Sequence, residues 1–444
     1  MLPSILAKQL QKGIGDYIET TFPMTNEPFK GSVQKMLANK GSVYHEPYVA
    51  VRLPFRVAAE MPTCFEAIHP AYLPYVHQQK AFERLTGDDG RSTLVATGTG
   101  SGKTECFMWP LMAKLADEAR NRTDSWELRG VRTVIMYPMN ALVSDQVSRL
   151  RRLIGDPDHR FVKIFRETCG NGVRRPQFGM YTGRTPYAGP EPRKDADHRL
   201  ENTYSKMVHP ETDEGEDFLR QLTKEGKIPS KENFDAFLEK LHNSKHIPDA
   251  EDAELVTRFE MQQFCPDILI TNYSMLEYMF LRPREKKIWD DTKRWLESDP
   301  KNKLLFVIDE AHMYRGSAGG EVSLLIRRLF HRLGIDRSRV QFILTTASMP
   351  NNDEEDRKAV RDFANALTAS DDNHSFCYLT GEKEKFGAER CNDLPLSHFI
   401  GIEAEPFEGD DTQRLDALNH FWSGIPGAPA PFMDVDCACH WLYD

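Results

Sequence analysis

Two short stretches carry residue types that can do chemistry together. The first is Leu94-Val95-Ala96-Thr97-Gly98-Thr99-Gly100-Ser101-Gly102-Lys103-Thr104. A β-branched apolar start that runs into a Gly-rich loop ending in Lys-Thr is how a buried strand hands over to a phosphate loop and then a helix. Glycines let backbone N–H groups turn inward around a phosphate chain, because no Cβ blocks the approach. Thr99, Gly100, Ser101 and Gly102 then line the loop. Lys103 reaches the β- and γ-phosphates, and the Thr104 hydroxyl ligates Mg²⁺. A helix beginning near Glu105 points its positive end at the anion. The strict pattern has Gly where Thr97 stands. The second stretch is Asp309-Glu310-Ala311-His312, at the end of the apolar run Lys303-Leu304-Leu305-Phe306-Val307-Ile308. In a catalytic reading, Asp309 holds Mg²⁺ beside Thr104, and Glu310 polarises the water that attacks the γ-phosphate.

A third position lies upstream. Gln78 opens a short helix, Gln79 to Leu85, one element before the phosphate-loop strand. A glutamine amide can donate to and accept from an adenine edge at once, which suits ATP. Position alone leaves a solvent-exposed glutamine at a helix start as the alternative.

These residues need a parallel sheet to hold them. Val131 to Tyr137 reads as a buried strand stopped by Pro138, and Asn140 to Leu153 as the next helix. Asp267 to Tyr273, Lys303 to Asp309 and Val340 to Leu344 read as further core strands, and Trp289 to Leu296 as a crossover helix. Such β–loop–α alternation predicts an α/β fold with crossover helices, whose ligands sit at the carboxyl ends of the strands. Residues 185–262, rich in Glu, Asp and Lys, read as a helical insertion on the sheet domain. Residues 1–23, with Leu6, Leu10 and Ile14 at helical spacing, read as a helix that Pro23 ends. Val33, Met36 and Leu37 suggest a short second helix, and Val49 to Phe55 an extended segment. Three regions follow: an accessory region 1–65, the nucleotide-binding lobe 66–350, and a connector 351–444 that contains the proline-rich stretch Gly424 to Pro431.

The chain has 444 residues, more than one ordinary core. Its composition, 40% hydrophobic and 28% charged, is that of a soluble globular protein. No apolar run is long enough to span a bilayer, and the start at Met1-Leu2-Pro3-Ser4 has no secretory pattern, so a cytoplasmic location is expected. The 8 cysteines are scattered, which suits reduced thiols. Cys437, Cys439 and His440 cluster, but without a distant second pair they read more readily as ordinary residues than as a metal site. A net charge of −10 argues against a generally basic nucleic-acid binder and leaves room for a local basic track. Arg149/Arg151/Arg152, Arg174/Arg175 and Arg327/Arg328/Arg332 are the candidate patches, with solvated helix faces as the alternative.

Together the motifs carry a resemblance. Ala96 to Thr104, Tyr137-Pro138-Met139-Asn140-Ala141-Leu142, Asp309-Glu310-Ala311-His312 and Thr346-Ala347-Ser348 resemble motifs I, Ia, II and III of superfamily 2 helicases, and Gln78 the Q-motif glutamine. Thr271-Asn272-Tyr273-Ser274-Met275-Leu276-Glu277-Tyr278 and His312-Met313-Tyr314-Arg315-Gly316 are similar to the Lhr-like and MrfA/YprA/Hrq-type DEAD/DEAH branch. That branch includes the large helicases of bacterial antiphage systems such as DISARM and Druantia. The resemblance implies a RecA-like lobe of an ATP-driven motor on DNA with 3′→5′ polarity, acting in antiphage defence or DNA repair. It implies that Thr346 and Ser348 couple hydrolysis to movement and that Asn140, Thr271 and Asn272 touch the nucleic-acid backbone. No Gln/His-x-x-Gly-Arg-x-Gly-Arg sequence occurs, and the stretch after Met349 is shorter than a typical domain. A second RecA lobe with its arginine fingers is therefore expected outside these residues, in cis or on a partner chain. Weak ATPase activity is expected of residues 1–444 alone. The competing reading is a nucleotide-gated nucleic-acid clamp without turnover; the intact Glu310 favours an ATPase.

Overall fold

The computed structural model describes residues 13–22 apart from 19, 31–32, 35–36, 54–61, 72–87, 91–156 apart from 99, 160–186, 194–347 apart from 211, 354–370, 376–384, 405–423, and 431–438 apart from 436. The chain divides into two compact units, Phe55–Glu382 and a second made of Met1–Pro54 with Lys383–Asp444.

The larger unit is built on an eight-stranded sheet. Its strands are β1 (Thr93–Ala96), β2 (Thr133–Tyr137), β3 (Phe178–Tyr181), β4 (Glu254–Leu255), β5 (Ile268–Asn272), β6 (Leu304–Ile308), β7 (Val340–Thr346) and β8 (Cys377–Thr380), in the order β4-β3-β5-β2-β6-β7-β1-β8. Every pairing is parallel. This is the RecA-like arrangement expected of a helicase lobe, with the chain crossing over by helices. Central strands are buried along nearly their whole length and are mostly apolar, because both faces are covered. Alternate residues separate cleanly. Leu94, Val134, Met136, Leu269, Phe306, Ile308, Phe342 and Leu344 join one core. Val95, Ile135, Tyr137, Ile268, Ile270, Leu305, Val307 and Ile343 join the other.

Helices supply the outer layers. On one face lie α1 (Val76–Thr86), α2 (Glu105–Asn121), the short α3 (Thr123–Glu127), α4 (Asn140–Leu153) and α5 (Arg160–Cys169), which bury Phe82, Phe107, Leu111, Trp126, Val147 and Phe165. The insertion follows as α6 (Lys194–Val208), α7 (Asp213–Lys224) and α8 (Phe234–His242). Then come α9 (Arg258–Gln263), α10 (Tyr273–Leu281), α11 (Lys286–Ser298), α12 (Ser317–Leu333) and α13 (Glu354–Leu367). Of these, α10 to α13 cover the opposite face through Met275, Trp289, Trp295, Leu325, Leu329 and Ala364.

The insertion is helical as expected but ends early. Glu254–Leu255 already pairs with Phe178 and Gly179, so the sheet resumes inside the stretch 185–262. Lys231 fixes this return. Its ammonium is fully buried and lies 3.0 Å from Asp252 Oδ2 and 2.7 Å from Glu260 Oε1. Beyond residue 350, β8 pairs in parallel with β1 and closes the other edge of the sheet. The expected segments 1–12 and 37–53, Pro23, Val33 and Gly424 to Ala430 lie outside the described residues; of the N-terminal helix, residues 13–18, 20 and 21 are described and helical.

Members of all three arginine patches have structural partners. Arg151 grips Glu254 with two bonds of 2.7 Å, and Arg174 grips Asp267 with two of 2.8 Å. Arg175 is buried and donates to Ile154 O and Glu251 O. Arg328 and Arg332 pair with Glu277 and Asp290 on neighbouring helices. A guanidinium already matched to a carboxylate offers little charge to a phosphate track.

The second unit contains α14 (Glu405–Glu408) and α15 (Asp411–Ser423). Leu418, Trp422 and Ala438 form its core with Phe407, Phe432 and Val435 around them. Cys437 is an exposed free thiol, while Cys439 and His440 lie outside the described residues.

Candidate functional site

The loop between β1 and α2 is shaped by its glycines. Gly100 and Gly102 have φ of +75° and +69°, in the left-handed region that L side chains rarely adopt. A Cβ on Gly102 would also stand 2.1 Å from Gln78 Nε2. Two side chains of the preceding turn and helix hold the loop from behind. Gln78 Nε2 donates to Gly102 O at 3.0 Å, and Gln78 Oε1 accepts from Tyr75 N at 2.8 Å. His77 Nε2 lies 2.8 Å from Ser101 O, and its ring stacks on Tyr75 and meets Phe55 edge-on. Burial lowers the His77 pKa, so the neutral ring that donates through Nε2 is the favoured form. Inside the loop, Thr97 Oγ1 and Ser101 Oγ are hydrogen-bonded at 2.5 Å. Thr97 thus takes up the position of the missing glycine with its hydroxyl satisfied. Thr99 lies outside the described residues.

Lys103 and Thr104 follow at the N-terminus of α2. Lys103 Nζ is 3.4 Å from Thr97 O and 3.8 Å from Glu310 Oε1. The Thr104 side chain does not cap α2, which leaves its hydroxyl for a ligand.

The carboxylates stand at the end of β6. Asp309 is 8% exposed. Its Oδ1 accepts from Thr345 Oγ1 on β7 and, at 3.0 Å, from Glu310 N. Burial raises its pKa, with the Glu310 charge adding to the effect. Such a carboxylate favours a nearby cation. Both bonds fall on Oδ1, which leaves Oδ2 for one, so the residues present fit a divalent ion held by Asp309 and Thr104. Glu310 sits at φ +51°, a left-handed conformation that costs a non-glycine residue energy. That turn reverses the chain off the strand and aims the side chain back toward Lys103. Glu310 Oε2 is 3.2 Å from His312 Nδ1, which is 3.1 Å from Thr346 Oγ1. Thr346 ends β7, in register with Ala96 of β1, and its carbonyl accepts from Thr97 N. Ser348 lies outside the described residues.

A separate polar pair marks the carboxyl ends of β2 and β5. Tyr137 and Asn272 are register partners. Asn272 Oδ1 caps α10 by accepting from Met275 N, and its Nδ2 donates to Asn140 Oδ1 at 2.6 Å. Thr271 differs from expectation. It is fully buried, and its hydroxyl donates to Tyr181 O at 2.7 Å, joining β5 to β3. Its side chain is therefore a strut inside the sheet, because the alternation that turns Asn272 outward turns Thr271 inward.

His77, Thr345 and the bridging role of His312 escape sequence reasoning. The adjacency of His77 to Gln78 was the available signal. Thr345 is visible only once β6 and β7 are known to be neighbours.

Residues 75–181 match the DEAD/DEAH box helicase family. The chain is 39% identical over 391 residues to the Druantia protein DruE of Escherichia coli (strain UMEA 4076-1), covering 79% of this chain and 21% of DruE. It is 32% identical over 82 residues to the uncharacterized ATP-dependent helicase YprA of Bacillus subtilis (strain 168), covering 18% of this chain and 9% of YprA. Among solved structures, the crystal structure of helicase MrfA bound to DNA and AMPPNP aligns with a TM-score of 0.40 and 15% identity over 89% of this chain and 42% of that one. The chain thus spans about a fifth of the length of DruE and less of YprA. The chain therefore carries a DEAD/DEAH box helicase segment at residues 75–181, around the phosphate loop, and is similar in sequence to DruE and, over a shorter stretch, to YprA.

Proposed function

We propose that this chain is the ATP-binding lobe of a DNA translocase, in which ATP hydrolysis drives movement along the nucleic-acid backbone. The observation that carries the reading is the position of Glu310. It faces Lys103 across the site at 3.8 Å and connects through His312 to Thr346. A binding clamp without turnover has no use for a carboxylate held there at the expense of a left-handed backbone.

The geometry supports the following roles. The loop N–H groups and Lys103 hold the β- and γ-phosphates. Thr104 and Asp309 would hold Mg²⁺, which would supply charge neutralisation at the phosphate oxygens. Glu310 accepts the proton of the attacking water as its oxygen bonds to the γ-phosphorus. The bond from that phosphorus to the bridging oxygen breaks, and ADP and phosphate leave. Each end of the Gln78 amide keeps one hydrogen-bonding position beyond its protein contacts, which suffices for an adenine edge. Asn140 and Asn272, at the starts of α4 and α10, meet backbone phosphates together with the helix N-termini. Thr346, with Ser348, passes the state of the γ-phosphate to the sheet edge that bears on the track.

The similarity to DruE supports a place in antiphage defence. An arginine finger supplied by a second RecA lobe completes the site, a contribution of about 10³–10⁵ in rate. The test is ATP turnover by residues 1–444 and by the longer polypeptide carrying a second lobe, each with and without single-stranded DNA, alongside 3′→5′ strand displacement. The expected result is slow, DNA-insensitive turnover for the short chain and fast, DNA-dependent turnover for the long one. Turnover by the long chain that survives Lys103→Ala, or that ignores DNA, overturns the reading.

A further inference from the structure

The insertion holds a cluster that the ATP site does not use. His198 and Glu201, three residues apart on α6, share one face of that helix. His242 is the last residue of α8. His198 Nδ1 lies 3.2 Å from Glu201 Oε2, and His242 Nδ1 lies 3.2 Å from both Glu201 oxygens. One donor atom from each residue falls within 4.8 Å of the other two. The two imidazoles meet edge to face with centroids 5.1 Å apart.

These spacings suit a particular ion. Zinc–nitrogen and zinc–oxygen bonds of about 2.0–2.1 Å set the edges of a tetrahedron at roughly 3.3 Å. The two imidazole–carboxylate edges already have that length, so only the edge between the imidazoles has to close. Two imidazoles and one carboxylate are a donor set for zinc and its transition-metal neighbours rather than for magnesium or calcium. Three protein ligands leave a fourth position for water.

The surroundings hold the ligands without needing the ion. Asp197, beside His198, is fully buried, and its Oδ1 lies 3.3 Å from Nε2 of His246, four residues after His242. Tyr204 of α6 packs on Phe234 and Phe237 of α8 at ring separations of 5.8 and 6.0 Å. Both ligand-bearing segments are thus anchored to each other beneath the cluster. Above it the way from solvent is open, with the His242 side chain 61% exposed.

We propose that His198, Glu201 and His242 bind one zinc-class divalent ion that clips α6 to α8 across the linker carrying α7. The ion ties down the insertion and takes no part in ATP hydrolysis. The alternative for the same atoms is a hydrogen-bonded triad in which one carboxylate accepts from both rings, and the experiment separates the two.

Chelator-stripped, nucleotide-free protein is titrated with Co²⁺ in excess Mg²⁺, which keeps the ATP site from competing. The expected result is one bound equivalent with visible d–d absorption of a nitrogen/oxygen site, displaced by Zn²⁺. His198→Gln and His242→Gln each remove that equivalent and leave ATP affinity unchanged, which shows that the lobe is folded. Cys437→Ser keeps the equivalent. Zinc also slows proteolytic cleavage within residues 209–233 of the parent protein, and not of His242→Gln. Absence of the equivalent, its retention in both histidine variants, or a sulfur-to-cobalt charge-transfer band overturns the proposal.

Discussion

His312 Nδ1 stands 3.1 Å from Thr346 Oγ1, joining the end of β6 to the end of β7 directly beneath the phosphate loop. The same nitrogen is 3.2 Å from Glu310 Oε2, so one imidazole touches both the Glu310 carboxylate and the strand that borders β1. Under the proposed function, this contact is the route by which a change at Glu310 would reach Thr346. Thr346→Ala removes the hydroxyl partner of His312 and keeps the strand. The expected outcome is ATP turnover within about tenfold of the parent and strand displacement lost, a split larger than the loss of one neutral hydrogen bond would give if it acted on stability alone. Measuring both rates on the same preparation checks it; equal losses in the two would place Thr346 in the chemistry.

Glu310→Gln keeps the shape of the side chain and removes its ability to take a proton. Turnover should fall by roughly 10²–10⁴, the usual contribution of a positioned general base, with the ATP dissociation constant little changed. Single-turnover hydrolysis beside equilibrium nucleotide binding measures the two separately. A variant that hydrolyses at the parental rate would move the base elsewhere.

Much of the frame was legible because central strands of a parallel sheet are apolar on both faces. Val134-Ile135-Met136 and Leu305-Phe306-Val307 can be little else, and the phosphate loop and carboxylates sit where such strands must end. The edges were not legible. β3 carries Gly179 in its middle, β4 is two residues long, and Cys377-Tyr378-Leu379-Thr380 of β8 is half-buried, so none shows the signal of a buried strand. Function hides for a related reason. Thr271 and Asn272 look equally fit to contact a phosphate, and only the phase of β5 separates the buried hydroxyl from the outward amide. Arg174 looked like a basic patch because its partner, Asp267, is distant in sequence.

That partner anchors a buried network. Asp267 accepts from Arg174 and lies 3.1 Å from Arg132, which also grips Glu118 and packs between Trp126 and Trp295. Burial alone would raise the Asp267 pKa, but Arg174 and Arg132 outweigh it and hold the carboxyl at about 2. The folded pKa lies below the unfolded one, so the stabilisation is full above the ordinary aspartate range and is lost as pH falls toward 2. Asp267→Asn leaves the guanidinium groups buried without their shared anion and should cost about 3–5 kcal/mol at neutral pH. Denaturant titration of both proteins checks this, and the difference should shrink between pH 4 and pH 2.

Asn140 and Asn272 should act on nucleic acid as a pair. Each amide positions the other through the 2.6 Å bond, so Asn140→Ala and Asn272→Ala should weaken DNA binding by similar factors, and the double variant by little more. The loss should be uniform across sequences, because phosphate contacts carry no base information. Fluorescence anisotropy on several unrelated oligonucleotides at two salt concentrations tests it. Losses that simply multiply in the double variant would mean two independent contacts.

The last expectation concerns the grip of α1 on the phosphate loop. Gly102→Ala meets two obstacles: a left-handed φ, which costs an L residue roughly 1–2 kcal/mol, and a Cβ 2.1 Å from Gln78 Nε2. The loop cannot relax backward, since Gln78 is pinned to Tyr75 N and His77 holds Ser101 O. It must move toward the phosphates, and affinity should fall at least tenfold. Trimming the obstructing side chain separates the two causes. In the double variant with Gln78→Ala the clash with Nε2 disappears, while the backbone cost and the milder approach to Glu105 Oε2 at 3.1 Å remain, so affinity should recover partly and not fully. Magnesium triphosphate is the proper ligand for this measurement, because it has no adenine and the loss of Gln78 as a base contact does not enter. Isothermal titration of the parent, both single variants and the double variant gives the coupling directly. If the double variant binds no better than Gly102→Ala, the steric contact with Gln78 is not what holds the loop in its binding shape.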